Sequence, residues 1–198
     1  MLTSVREIQE SYINICGNDV TISVSVKLLN KYYEEGGALT DLKVFTAFRD
    51  KSSYEQGKRE VQTSLFTIIG NTDFSQCVKK DYFIKNNICE GECSYLNENK
   101  EFLKYYNSTV VVPILIKQNN GRNKYFGYLC CDALNDDKAI ELFDETSANI
   151  LFFYAQLYAH YLETLEFNWR DRNENGCSEY NSFLDYLFSR KKVIENEE

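Results

Sequence analysis

The part of this sequence that most constrains the fold is residues 105–134, which read YYNSTVVVPILIKQNNGRNKYFGYLCCDAL. Within it, residues 108–117 and 124–133 carry apolar side chains on both faces of an extended chain, a pattern typical of strands that are covered on two sides. The pair Asn120-Gly121 lies between them and favours a tight turn. This stretch therefore predicts two adjacent strands at the centre of an antiparallel sheet.

The N-terminal quarter of the chain predicts a helix followed by a second pair of strands. Residues 3–16 place apolar side chains at helical spacing. Residues 19–29 alternate between apolar and polar side chains, which indicates a strand buried on one face only. Residues 42–49 predict its partner, and the single loop between the two favours an antiparallel hairpin.

The middle of the chain, residues 50–104, has no sustained hydrophobic period. Residues 61–69 are rich in β-forming residues, and residues 71–74 predict a turn that caps a short helix. A helical turn is expected near residues 98–106. Irregular segments of this length in a compact domain are usually functional or mobile.

A long amphipathic helix is predicted over residues 144–168, with Asp144 as its N-cap. Its core-facing stripe is expected to include Leu157 and Tyr161. A second apolar face is predicted at Phe152, Ala155 and Ala159. Because one sheet needs only one apolar stripe, the second face predicts a further buried contact. Residues 179–194 predict another amphipathic helix.

Composition limits the class of protein. The chain has 198 residues, a formal charge of −8 and scattered basic residues, which argues against a nucleic-acid surface. No run is long and apolar enough for membrane insertion, and no secretory signal is recognised at the N-terminus. We therefore expect a cytoplasmic protein. Its seven cysteines are expected to be reduced thiols rather than a disulfide framework or a metal site.

The order of these elements resembles the GAF domain, a sensory α+β module. The resemblance rests on residues 106–114 (YNSTVVVPI), on residues 127–132 (GYLCCD), and on Phe143 before the long helix. It implies a PAS-like antiparallel sheet with the N- and C-terminal helices on one face and an irregular helical lid on the other. Residues 1–168 would form this domain, and residues 169–198 a C-terminal helical extension.

The resemblance also implies a ligand pocket between the sheet and the lid, and dimerisation through the terminal helices. The residues expected at this pocket are Phe48, Arg49, Asn71, Thr72, Asp73, Phe74, Tyr106, Ser108, Thr109, Gly127, Cys131 and Asp132. Arg49 would pair with an anionic ligand and the hydroxyls would orient it. Gly127, inside a strand, separately predicts the close approach of another backbone or of a ligand. The sequence does not identify the ligand.

Three functions remain open from the sequence. The leading expectation is a non-enzymatic regulatory module that binds a small molecule, forms a homodimer and transmits a signal. The alternative is a ligand-free interaction or dimerisation module whose pocket is filled by Phe66, Phe74, Phe83 and Phe102. The third is a thiol-dependent reductase similar to the free methionine-R-sulfoxide reductases. Cys89 and Cys93 lie in the appropriate region for it, but residues 94–109 contain no cysteine.

Overall fold

One six-stranded antiparallel sheet organises the fold. The computed structural model describes residues 2–16, 20–34, 37–50, 65–89, 94–134, 141–173, 183–184 and 186–187. The strands are β1 (Thr21–Glu34), β2 (Lys43–Arg49), β3 (Phe66–Thr67), β4 (Phe83–Lys85), β5 (Ser108–Lys117) and β6 (Asn123–Leu134). Their order across the sheet is β3-β2-β1-β6-β5-β4. The coarse α+β prediction is confirmed.

The two strands predicted at the centre are β5 and β6, and they pair antiparallel along nearly their whole length. Their side chains are buried on both faces over most of each strand, as the continuous apolar pattern predicts. Gly121 lies in the turn between them with φ of 81°, a left-handed conformation that favours glycine. The hairpin prediction for this stretch is therefore confirmed.

Strands β1 and β2 form the predicted antiparallel hairpin, but β1 differs from the prediction in two ways. It continues to Glu34, beyond the expected end at residue 29. Its polar face is also not exposed, because Ser23 and Ser25 are buried. Alternation of polar and apolar residues reveals which side chains share a face, not what covers that face. Here the middle segment of the chain covers it.

Gly127 confirms the predicted close approach of a backbone. A Cβ atom at this position would lie 1.9 Å from the carbonyl oxygen of Lys27 and 2.8 Å from Cα of Leu28. The pairing of β1 with β6 is interrupted here and resumes at Tyr33 opposite Tyr125. Glycine therefore lets β1 and β6 meet at this irregularity.

Two long helices cover one face of the sheet. Helix α1 (Leu2–Cys16) packs on β1 and β2, and helix α3 (Glu145–Asn173) packs on β5 and β6. They contact each other through Tyr12, whose hydroxyl donates to the carbonyl of Ser147 and whose ring lies 5.9 Å from that of Phe143. Asp144 is the predicted N-cap and accepts from the Ser147 amide at 2.8 Å.

The buried stripe of α3 matches the predicted one only in part. Leu157 and Tyr161, expected in the core, are 53% and 46% exposed. Ala155 and Ala159, expected on a second face, are fully buried. Their small side chains let the helix approach the sheet closely, and this close approach selects them over the larger residues. Phe152 is only partly buried against the core.

The middle segment and the C-terminus were predicted in part. The expected short helix is α2 (Thr72–Cys77), although Asn71 at its N-terminus makes no side-chain capping bond, and a 3₁₀ turn occurs at Phe102–Lys104. Of the β-rich stretch only Phe66–Thr67 is a strand, residues 61–64 lying outside the described residues, and the three-residue strand β4 was not predicted.

Helix α3 continues past the predicted domain boundary at residue 168 to Asn173. The Trp169 ring on this extension lies 6.0 Å from that of Phe183. Residues 183–184 and 186–187 are helical, and the rest of the predicted final helix lies outside the described residues. Within the described part of the chain, no helix has the length and apolarity needed to cross a membrane.

Candidate functional site

A cavity of about 60 Å³ lies on the sheet face opposite α1 and α3. Strands β1, β2 and β6 form its floor, and α2 and residues 97–106 form its roof. At about 30 Å³ per water, the volume equals that of about two water molecules or a very small polar ligand. Its walls combine cations, carboxylates, amides, phenols, one thiol and two phenylalanine rings.

Half of the residues predicted for the pocket line this cavity. They are Arg49, Asn71, Asp73, Phe74, Tyr106 and Asp132. They come from β2, the N-terminus of α2, the segment before β5, and the end of β6. The fold therefore brings together residues that are up to about 80 positions apart in the chain.

Three predicted residues lie next to the cavity without lining it. Thr109 donates from Oγ1 to Oδ1 of Asp132 at 2.8 Å and so orients that carboxylate. Thr72 accepts from the Leu96 amide at 2.7 Å, and Ser108 accepts from the Asn87 amide at 3.2 Å. The Thr72 hydroxyl therefore joins α2 to the segment that begins the rest of the roof, and the Ser108 hydroxyl ties β5 to the chain after β4.

The other three predicted residues are not brought to the cavity. Phe48 and Cys131 pair with Val26 and Val24, whose side chains lie on the helix-covered face. Gly127 lies against the β1 backbone. Because successive strand residues point to opposite faces, Cys130 lines the cavity in place of Cys131.

Several lining residues were missed from the sequence. Lys27 belongs to the polar face of β1. Had the middle segment of the chain been predicted to cover that face, Lys27 would have been expected on the cavity floor. Asn97, Asn99 and Tyr105 lie in a stretch without periodicity, so no pattern in the sequence distinguishes them from other loop residues. Phe66 was predicted only as a possible plug.

Two cations lie at the β1–β2 side of the cavity. Lys27 donates from Nζ to Oγ1 of Thr46 at 3.2 Å, and its ammonium lies 5.9 Å from the centre of the Phe74 ring. Arg49 donates from Nη1 to Oγ of Ser23 at 3.1 Å. These contacts hold both side chains on the sheet face that forms the cavity floor.

Asp73 lies in the first turn of α2 and is only 5% exposed. Its Oδ1 accepts from the Phe74 amide at 2.8 Å. Burial, the largest effect, and the charge of Asp132 raise the pKa of Asp73, whereas the Phe74 amide and Lys27 lower it, and the net result is a pKa of about 7. The carboxyl group therefore changes its charge near neutral pH.

The thiols are poorly suited to nucleophilic chemistry. Burial raises the pKa of Cys130, which lines the cavity, so the thiol stays protonated at neutral pH. Cys89 is exposed and contacts the carbonyl of Asn87 at 3.4 Å rather than the cavity. Cys93 lies outside the described residues. Among the residues described, no three potential metal ligands are grouped to hold an ion.

The roof of the cavity has a small hydrophobic core of its own. Tyr95, Tyr106 and Phe102 pack there, and the centre of the Phe102 ring lies 5.4 Å from the ring centre of each tyrosine. Phe83 belongs to the same cluster. The predicted plug is therefore divided: Phe83 and Phe102 stabilise the roof, while Phe66 and Phe74 are cavity walls.

A chain of hydrogen bonds links the cavity to helix α1. Ser23, which accepts from Arg49, donates to Oδ2 of Asp50 at 3.0 Å. Oδ1 of Asp50 accepts from Nε2 of Gln9 at 2.9 Å, and Gln9 also donates to the carbonyl of Ile22 at 2.7 Å. Asp50 and Gln9 are buried, so water competes little for these bonds. The Arg49 side chain is thus connected to the opposite layer of the fold.

Comparison of the chain with protein-family models, with curated proteins and with solved structures found no match. The resemblance to the GAF domain therefore remains a prediction from the residues that carry it.

Proposed function

We propose that this protein is a regulatory module that binds a small polar molecule in the cavity between its sheet and its roof. The observation that carries the proposal is the concentration of buried polar side chains around one cavity. Asn71, Asp73 and Asp132 are all nearly inaccessible to solvent. Each of them is hydrogen-bonded within the fold, and together they converge on one cavity. Ligand sites use a small number of convergent polar groups to fix the orientation of the ligand.

The signal would leave the cavity through the hydrogen-bonded chain from Arg49 to Gln9. A ligand that draws the Arg49 guanidinium toward itself changes the partner of Ser23, and Ser23 in turn is bonded to Asp50. Because Asp50 also accepts from Gln9, the position of α1 is coupled to occupancy of the cavity. Helix α1 contacts α3, so both terminal helices can respond.

A thermal-shift screen of small polar metabolites tests binding. A ligand present at about 100 times its Kd adds about 2.7 kcal/mol to the free energy of unfolding, which gives a clear rise in Tm. The variant Arg49→Gln should lose that rise. Arg122→Gln, an exposed arginine in the β5–β6 turn, is the matched control and should keep it. If no compound raises Tm, or if both variants respond alike, the proposed site is wrong.

A second candidate function is dimerisation, with or without a ligand. The face of α3 that points away from the sheet exposes Phe153, Leu157, Tyr161 and Phe167, at 62%, 53%, 46% and 71%. The first three recur every four residues and form one stripe along the helix. A second copy of this chain, packing the same stripe against it, would remove these side chains from water.

Size-exclusion chromatography with light scattering tests this dimer. We expect Leu157→Glu to give a folded monomer, because a carboxylate in the stripe would be buried without a partner. Glu163→Gln, an exposed position on the same helix, should leave the dimer intact. A wild-type protein that stays monomeric at high concentration would exclude this assembly.

We do not propose an enzymatic function. The cavity thiol is protonated, and its nearest cysteine neighbour in the strand, Cys131, faces the helices instead of the cavity. A reductase would need a thiolate and a resolving thiol at one site, and the described residues provide neither.

A further inference from the structure

We propose that the ligand of this cavity is a small zwitterion, such as a free α-amino acid, that presents an anionic group to Arg49 and an ammonium group to Asp132 and Asp73. This inference rests on the proposed function, since it names the chemical class that the same cavity accepts.

The first argument is that charges of both signs line one small cavity. Lys27 and Arg49 provide two cations, and Asp73 and Asp132 provide two carboxyl groups. A simple anion would lie close to the carboxylates, and a simple cation would lie close to the guanidinium. A ligand with both charges meets each side with its opposite and leaves no like charges together.

The second argument is the placement of these charges across the sheet. Ser25 pairs with Arg49 on one side and with Cys130 on the other. Arg49 and the β6 residues are therefore two strands apart, about 10 Å between backbones. Asp132 lies on the β6 side, opposite Ser23. The Arg49 guanidinium reaches over β1 to Ser23, the residue opposite Asp132, so the cationic and anionic groups of the cavity lie close together.

The third argument is a buried hydroxyl between these walls. Ser25 is fully buried, and its Oγ has no hydrogen-bond partner among the described residues. It lies on the cavity face, next to Arg49 and Cys130, both of which line the cavity. A buried hydroxyl without a partner is unfavourable. Ser25 does not itself line the cavity, so a ligand carboxylate would become its acceptor only by entering between Arg49 and Cys130.

The size of the cavity limits the rest of the ligand. At about 30 Å³ per water molecule, a volume of about 60 Å³ equals that of about two waters, so only the smallest zwitterions fit without movement of the roof. Phe66 and Phe74 form the apolar part of the wall, which suits a small apolar side chain rather than a third charge. A nucleotide or another large ligand would need the roof to move.

The test uses chemically matched probes on the wild-type protein. Binding of the standard α-amino acids is measured by isothermal titration calorimetry, and the tightest is then compared with its N-acetyl derivative and its C-terminal amide. Each derivative lacks one charge. We expect each to bind about 10- to 100-fold more weakly, because each loses one charge-assisted contact with a cavity wall.

Two variants assign the charges to their walls. In Arg49→Gln, the parent amino acid and its C-terminal amide should bind with nearly the same affinity. In Asp132→Asn, the parent amino acid and its N-acetyl derivative should bind with nearly the same affinity. If a variant does not fold, as judged by circular dichroism, the comparison of derivatives on the wild type decides alone.

The outcomes separate this inference from the proposed function. Binding of a derivative as tightly as the parent amino acid overturns the zwitterion, and so does a screen in which only singly charged or neutral compounds bind. In both cases the cavity is still a ligand site. Failure of every compound to bind overturns the proposed function itself.

Discussion

Replacing Asp73 with asparagine should stabilise the protein at neutral and alkaline pH and change its pH dependence. The Asp73 carboxyl lies in the first turn of α2 and is 5% exposed. Its pKa rises from an ordinary value of 3.8 to about 7, chiefly because burial disfavours the charged form. Asparagine is nearly isosteric and carries no charge at any pH.

The magnitude follows from linkage between protonation and folding. At about 1.4 kcal/mol per pKa unit, a rise from 3.8 to about 7 corresponds to about 4 kcal/mol as an upper limit. The native protein holds the proton more tightly than the unfolded chain does. The contribution to stability is therefore complete below about pH 4 and is lost as the pH rises through about 7.

The assay is urea unfolding of wild type and Asp73→Asn between about pH 4.5 and about pH 8, with Trp169, the single tryptophan, as the fluorescent probe. The difference in free energy of unfolding between the two proteins should grow with pH in favour of the variant. Other titrating groups occur in both proteins and cancel in this difference. A constant offset, whatever its sign, would refute the reasoning. Asp81→Asn, at an exposed position, should follow the wild-type profile.

Two further substitutions test how the two strands and the two layers are joined. Gly127→Ala should destabilise the protein by about 3 kcal/mol or prevent folding, because its Cβ would overlap the Lys27 carbonyl, whereas Gly121→Ala, which meets no atom within 4 Å, should cost about 1 kcal/mol for its left-handed conformation. Similar losses in urea unfolding would contradict the close approach of β1 and β6. Asp50→Asn should cost about 2–3 kcal/mol in the same assay, because it replaces an acceptor of three hydrogen bonds; a change within about 0.5 kcal/mol would show that these bonds matter little.

The elements that could be predicted are those with a long and regular pattern. Strands β5 and β6 and helices α1 and α3 each carry a sustained period, and their bounds differ from the prediction by a few residues at most. Strands β3 and β4 have two and three residues, too short for any period to show. The stripe of α3 was misassigned in part, because hydrophobicity ranks leucine and tyrosine above alanine, whereas close packing on the sheet favours Ala155 and Ala159.

The candidate site was predictable to the extent that it lies on ordered elements. Arg49 and Asp132 were located because they lie near the ends of predicted strands, at positions that the resemblance to the GAF domain implies for the pocket, and each lines the cavity. Asn97 and Asn99 were not, because an asparagine in an irregular segment has no signature of its position in space. The face of a strand was also ambiguous: Cys131 and Cys130 differ by one residue, and in a strand that is apolar on both faces no polar neighbour indicates which one points to the cavity.

The properties of Asp73 connect the stability of this fold with its proposed role. In the empty protein an ionised Asp73 is destabilising, because burial and the charge of Asp132 both oppose it. A carboxylate with no function at this position could be replaced by a neutral residue with a gain in stability. An ammonium group in the cavity would stabilise the ionised form of Asp73 and so lower the pKa of its carboxyl group. Binding of a zwitterion should therefore release a fraction of a proton near pH 7, and calorimetric titrations in buffers of different ionisation enthalpy would detect it. Binding without proton release would place the ammonium group away from Asp73 and leave Asp132 as its partner.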